Sequence, residues 1–109
     1  MKPKWYEFGE KSISKEDEIK KNYAGKLNGN YGHLMMSNEK LLFVKEEGLL
    51  RKKYAVILNL PYENIEEVKP KDRFDLQITG ESGDSYEFLT DDLPVSIVDE
   101  SVRELMRHQ

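Results

Sequence analysis

Tyr31-Gly32-His33-Leu34-Met35-Met36-Ser37-Asn38-Glu39-Lys40-Leu41-Leu42-Phe43-Val44 is the stretch on which the fold turns. Ser37-Asn38-Glu39 divides two apolar runs. Ser and Asn side chains bond nearby backbone and favour turns, so the stretch predicts a hairpin of Asn30–Ser37 against Lys40–Glu46. The run Leu41–Val44 is apolar on both faces of a strand. Its second face therefore needs a cover, either a helix or another chain.

Asn28-Gly29 lies just upstream. A type I′ turn needs positive φ at both central residues, which Asn-Gly supplies, so Tyr23–Leu27 joins the sheet as a further strand. Downstream, Gly48 breaks the chain before Leu49–Leu58. Pro61 ends that run, because proline cannot donate to a ladder. Ile65–Lys69, Arg73–Thr79 and Asp84–Thr90 complete seven short strands. Within the sixth, Phe74, Leu76 and Ile78 alternate with Asp75, Gln77 and Thr79, the mark of one wet face. Tyr54–Leu58, like Leu41–Val44, is apolar on both faces.

Val95, Val98, Val102 and Leu105 then follow helical spacing. Pro94 precedes them, where a missing N–H is harmless, and Asp91 and Asp92 suit the positive end of the helix dipole. A helix over about 94–106 is expected to dock this stripe on the sheet. Residues 1–22 form a separate segment that packs on or flanks a domain spanning 23–109. It carries Trp5, Tyr6 and Phe8, then a charged stretch in which Ser14, with Asp17 three residues on, has the spacing of a helix cap.

The 109 residues include 17 Lys and Arg, 21 Asp and Glu, and no cysteine. That length suits one domain. Without cysteine there is neither a disulfide framework nor a thiolate zinc site. No apolar run approaches the ~20 residues of a membrane span, and no signal peptide opens the chain. The expected location is cytoplasmic, with peripheral membrane contact as the alternative. Residues 1–53 carry 12 basic and 8 acidic side chains, and residues 54–109 carry 5 and 13.

The stretch Tyr31–Val44 resembles the "G-x-L-x-[LVM]-[ST]-N-x-[RK]-[LI]-x-F" segment of bacterial pleckstrin-homology and GRAM-type domains. Ile57-Leu58-Asn59-Leu60-Pro61-Tyr62-Glu63-Asn64-Ile65-Glu66-Glu67-Val68 resembles their "I-x-I-P-Y-x-x-I-x-x-V" segment. The resemblance covers roughly Tyr23 to Met106. It implies a pleckstrin-homology-like barrel of about seven antiparallel strands capped by one C-terminal helix. It also implies a binding scaffold without chemistry of its own. Phosphoinositide-binding relatives use basic residues around the first hairpin loop. Here that loop is Leu27-Asn28-Gly29-Asn30, with Lys26 beside it.

The residues themselves point away from catalysis. His33 and His108 are far apart in sequence, and no nucleophile, phosphate-loop or metalloprotease motif occurs. The pairs Glu46-Glu47 and Glu66-Glu67 sit on strands, where neighbours point to opposite faces. No catalytic, cofactor or metal site is expected. Nucleic acid is not an expected partner either, since Arg51-Lys52-Lys53-Tyr54 is the one basic stretch beside an aromatic. Two contact surfaces remain. Leu42, Val44, Ala55 and Ile57 share one alternation phase and form the candidate interface for a protein partner or a second copy of the chain. Leu49, Leu50, Arg51, Lys52 and Lys53 form the candidate contact for anionic lipid. The first carries the expected function, protein binding or self-association. The second is the alternative, weak peripheral attachment to a membrane.

Overall fold

A computed structural model describes all 109 residues. A short helix α1 (Lys4–Glu10) precedes seven strands: β1 (Ile19–Leu27), β2 (Asn30–Ser37), β3 (Lys40–Glu47), β4 (Lys53–Pro61), β5 (Ile65–Pro70), β6 (Asp75–Gly80) and β7 (Ser85–Thr90). A C-terminal helix α2 (Val95–Arg107) follows, and a 3-10 turn at Tyr62–Asn64 joins β4 to β5. The strands form one antiparallel sheet in the order β4-β3-β2-β1-β7-β6-β5. The chain is thus mainly β, with seven strands and one C-terminal helix. The sheet does not close into the expected barrel, because its edges β4 and β5 do not pair. Pro61 lacks the N–H to carry the ladder on, and the 3-10 turn then redirects the backbone.

The sheet folds over on itself at one place. β1 pairs with β7 only over Gly25–Leu27, and Gly25 lies opposite Gly32 of β2. A Cβ on Gly25 would collide with the Leu89 carbonyl and lie 2.7 Å from the Phe88 ring; one on Gly32 would lie 2.8 Å from the Phe43 ring. The two phenyl rings meet edge to face, centroids 6.2 Å apart. Missing side chains thus admit the rings that fill the bend.

The main core lies inside the fold and joins Leu34, Leu41, Phe43, Leu76, Ile78 and Phe88 to Val95, Val98 and Val102 of α2. Helix α2 plugs the open end, with Leu105 half-buried against the same core. Its start differs from expectation: Pro94 is the N-cap, without a side-chain cap, and Asp91 and Asp92 do not reach it. The Val95 N–H instead donates to the Arg73 carbonyl at 2.7 Å. Tyr62 is buried, and its hydroxyl donates to the Ser37 carbonyl at 2.8 Å. Burial pushes its phenol pKa up.

The N-terminal segment departs from expectation. Its helix covers Lys4–Glu10, not the stretch after Ser14, and β1 begins at Ile19, four residues early. Asp17 caps a turn rather than a helix: its Oδ1 accepts from the backbone N–H of Glu18 at 2.7 Å and of Asn38 at 2.9 Å. The aromatic residues decide where the helix forms. Trp5, Tyr6 and Phe8 cover a second core of Ile19, Met35, Leu42 and Val44 on the outer face. Gly9 lets α1 approach, since a Cβ there would strike the Met35 sulfur. The cover demanded by Leu41–Val44 is therefore supplied by this chain on both sides, α2 with the core inside and α1 outside.

Candidate functional site

The β3–β4 connection begins where Gly48 takes φ 101°, a conformation glycine adopts without strain. Glu47 opposite Lys53 is the last ladder pair, so Gly48–Lys52 leaves the sheet as a projecting tip. The expected strand start at Leu49 is thereby moved to Lys53. Leu49 is 96% and Leu50 100% exposed. Arg51, Lys52 and Lys53 beside them are exposed too. Lys52 pairs with Glu46 at 3.4 Å and Lys45 with Glu47 at 3.3 Å, while Arg51 and Lys53 enter no ion pair. The structure brings all five candidate lipid-contact residues to one end of one hairpin.

The candidate protein interface does not survive as a surface. Leu42 and Val44 are fully buried beneath α1, whereas Ala55 and Ile57 are exposed. The cause is a bulge. Phe43 faces Leu58, but Val44 faces Val56, leaving Ile57 without a partner. The extra residue flips the alternation, so Tyr54 and Val56 join Leu42 and Val44 under α1. A single sequence offers no sign of that slip.

Beneath the tip lies a cluster that sequence reasoning missed. His33 is 8% exposed. Its Nε2 lies 3.1 Å from Glu46 Oε2, and its ring stacks on Trp5 with centroids 3.7 Å and planes 8° apart. Tyr31 meets it edge-on at 5.9 Å. Lys52 reaches the other Glu46 oxygen. The signal was present in the hairpin register: counting out from Ser37-Asn38 sets His33 opposite Val44, with Glu46 two residues on along the same face. His108, by contrast, is exposed at the end of α2.

No family model and no curated protein matches the sequence. Among solved structures, the crystal structure of the C-terminal domain of an unknown protein from Leishmania infantum is similar, with TM-score 0.63 and 10% identity over 93% of each chain. At that identity the likeness concerns the fold alone. No helix is long and apolar enough to cross a membrane.

Proposed function

We propose that this chain is a non-catalytic interaction module of the pleckstrin-homology-like type, and that its β3–β4 tip docks on anionic membrane surfaces. The strand order and the single C-terminal helix in the open end support the family resemblance. The observation that carries the docking role is the joint exposure of Leu49 and Leu50 beside Arg51, Lys52 and Lys53. Folding leaves large apolar side chains fully in water only against a gradient of about 1.5–3 kcal/mol each. A bilayer recovers that term, and each basic residue near an anionic leaflet adds about 1 kcal/mol. Glu46 and Glu47 offset part of the attraction. The sum describes reversible attachment rather than permanent anchoring.

Self-association loses its motive in this geometry, because α1 already covers the outer apolar face. Sedimentation with phosphatidylcholine vesicles containing 30% phosphatidylserine tests both readings at once. Salt-sensitive pelleting of a monomer is the expected result. A dimer that ignores the vesicles would restore the protein-binding reading.

A further inference from the structure

We propose that His33 is a proton-operated control on the β3–β4 tip: protonating it strengthens docking on an anionic bilayer, and docking in turn favours the protonated ring. The inference rests on the docking role given to the tip above.

From β3, Glu46 is the ion-pair partner of the His33 ring, through Oε2 at 3.1 Å. From the tip, Lys52 approaches the same carboxylate through Oε1 at 3.4 Å. From α1, Trp5 covers one face of the ring, and Tyr6 packs against Trp5 rather than on the histidine. Of the charged groups of α1, Glu10 pairs with Lys2, and Lys4 and Glu7 line a separate cleft with Phe8 and Tyr54. From β2, Tyr31 is edge-on. From β1, the nearest titratable group on this face is Lys26, opposite Tyr31. One carboxylate therefore serves two partners, a histidine and a tip lysine, and both His33 and Glu46 are largely shielded from solvent.

Histidine is the side chain whose charge ordinarily changes between pH 5 and 8. With a neutral ring, Glu46 keeps its charge and holds Lys52. The tip then sets four cations, Lys45, Arg51, Lys52 and Lys53, against two carboxylates. Protonation adds a fifth cation directly beneath it. The imidazolium neutralises Glu46 through a charge-assisted bond, so the Lys52 ammonium is held less firmly and is free to turn toward headgroups. An anionic surface favours that state, and thermodynamic reciprocity requires the surface to promote the ring's protonation by the same factor.

Vesicles of phosphatidylcholine with 30% phosphatidylserine are titrated with the protein at pH 7.5 and pH 5.5 at fixed salt. One added cation near the surface corresponds to about fivefold tighter binding at the lower pH. His33→Gln keeps a donor toward Glu46 but carries no charge, and it is expected to bind equally at both pH values. Because that variant disturbs a packed ring, the wild-type protein supplies a second measurement. NMR titration of the His33 ring should show its midpoint moving up, by the same fivefold factor, when phosphatidylserine nanodiscs are present. Binding by the wild type that is equal at both pH values, or a fivefold gain that persists in His33→Gln, overturns the control and leaves the docking role standing. Absence of wild-type binding at both pH values, or binding indifferent both to Leu49→Ser/Leu50→Ser and to neutralisation of Arg51 and Lys53, removes the docking role itself and the control with it.

Discussion

Gly25 and Gly32 face each other across β1 and β2, and the space their side chains would fill belongs to Phe88 and Phe43. A Gly25→Ala substitution pushes a methyl group into the Leu89 carbonyl and the Phe88 ring. It should lower stability by about 1–3 kcal/mol, the range for overpacking, measured by urea unfolding. A loss below ~0.5 kcal/mol would mean that the bend does not need the vacancy. Asp75 presents the opposite case, a residue that works against the fold. Its Oδ1 is sealed from solvent without a donor. Burial, and then the neighbouring Glu87 carboxylate, raise its pKa above the ordinary 3.8, with Lys71 opposing. A raised carboxyl pKa means that the folded chain binds this proton more tightly than the unfolded chain does. The destabilisation is therefore full above the folded value and fades as the pH falls toward 3.8. Asp75→Asn should raise the thermal midpoint at neutral pH, and its advantage over the wild type should shrink through that acid window. A lower midpoint at pH 7 would show that Asp75 has a stabilising partner. Asp75 was read in the sequence only as the wet residue of an alternating strand; its neighbour Glu87 comes from the adjacent strand, which periodicity along one strand does not reveal.

Helix α1 covers the outer face of β3 and β4, helix α2 closes the inner core against β5, β6 and the 3-10 turn, and the two were legible to different degrees. The α2 stripe has 3.6-residue spacing over a full 13 residues, enough turns for the period to declare itself. Leu105 is only half-buried, so Leu105→Ala should cost about 1–2 kcal/mol, below the 2–5 typical of a fully buried leucine. Helix α1 has seven residues, about two turns, too few for a period. Its stability comes from docking, which local sequence does not display. Trp5 and Phe8 do that docking over Met35, Leu42 and Val44. The double substitution Trp5→Ser/Phe8→Ser should uncover this face, and concentration-dependent association in sedimentation is the expected outcome. A variant that stays monomeric at high concentration would show that the face is protected by something other than α1. The same comparison explains why Leu42, Val44, Ala55 and Ile57 looked like one surface. Their shared phase is real in the sequence, but the bulge at Ile57 breaks it in the sheet, and a bulge needs no marker residue in the bulged strand.

At the scale of the molecule, the uneven charge acquires a direction. The half of the sheet built from β1–β4, with α1 and the tip, comes from the basic part of the chain, with 12 basic and 8 acidic residues up to Pro61. The half built from β5–β7 and α2 comes from the part with 5 basic and 13 acidic residues. Over a body 36 × 32 × 25 Å, that separation exceeds the screening length of about 10 Å at 0.1 M salt. The half nearest an anionic surface therefore decides: approach tip first is attracted, approach by the β5–β7 and α2 half is repelled, and both favour the tip-down orientation. Attraction alone would not distinguish a specific attachment from a loose electrostatic encounter; the leucines do. Leu49 and Leu50 touch nothing in the folded chain that their removal would damage. Leu49→Ser/Leu50→Ser should therefore leave urea stability within ~0.5 kcal/mol of wild type, as for surface changes generally, while vesicle binding falls by at least tenfold. Neutralising Arg51 and Lys53 should instead reduce binding most at low salt, with little difference left at 0.5 M, where screening has already removed their share. If the leucine variant binds as well as wild type and only the charge variant weakens, the tip is an electrostatic contact without insertion. Loss of both affinity and stability in the leucine variant would place those side chains in the fold rather than at its surface.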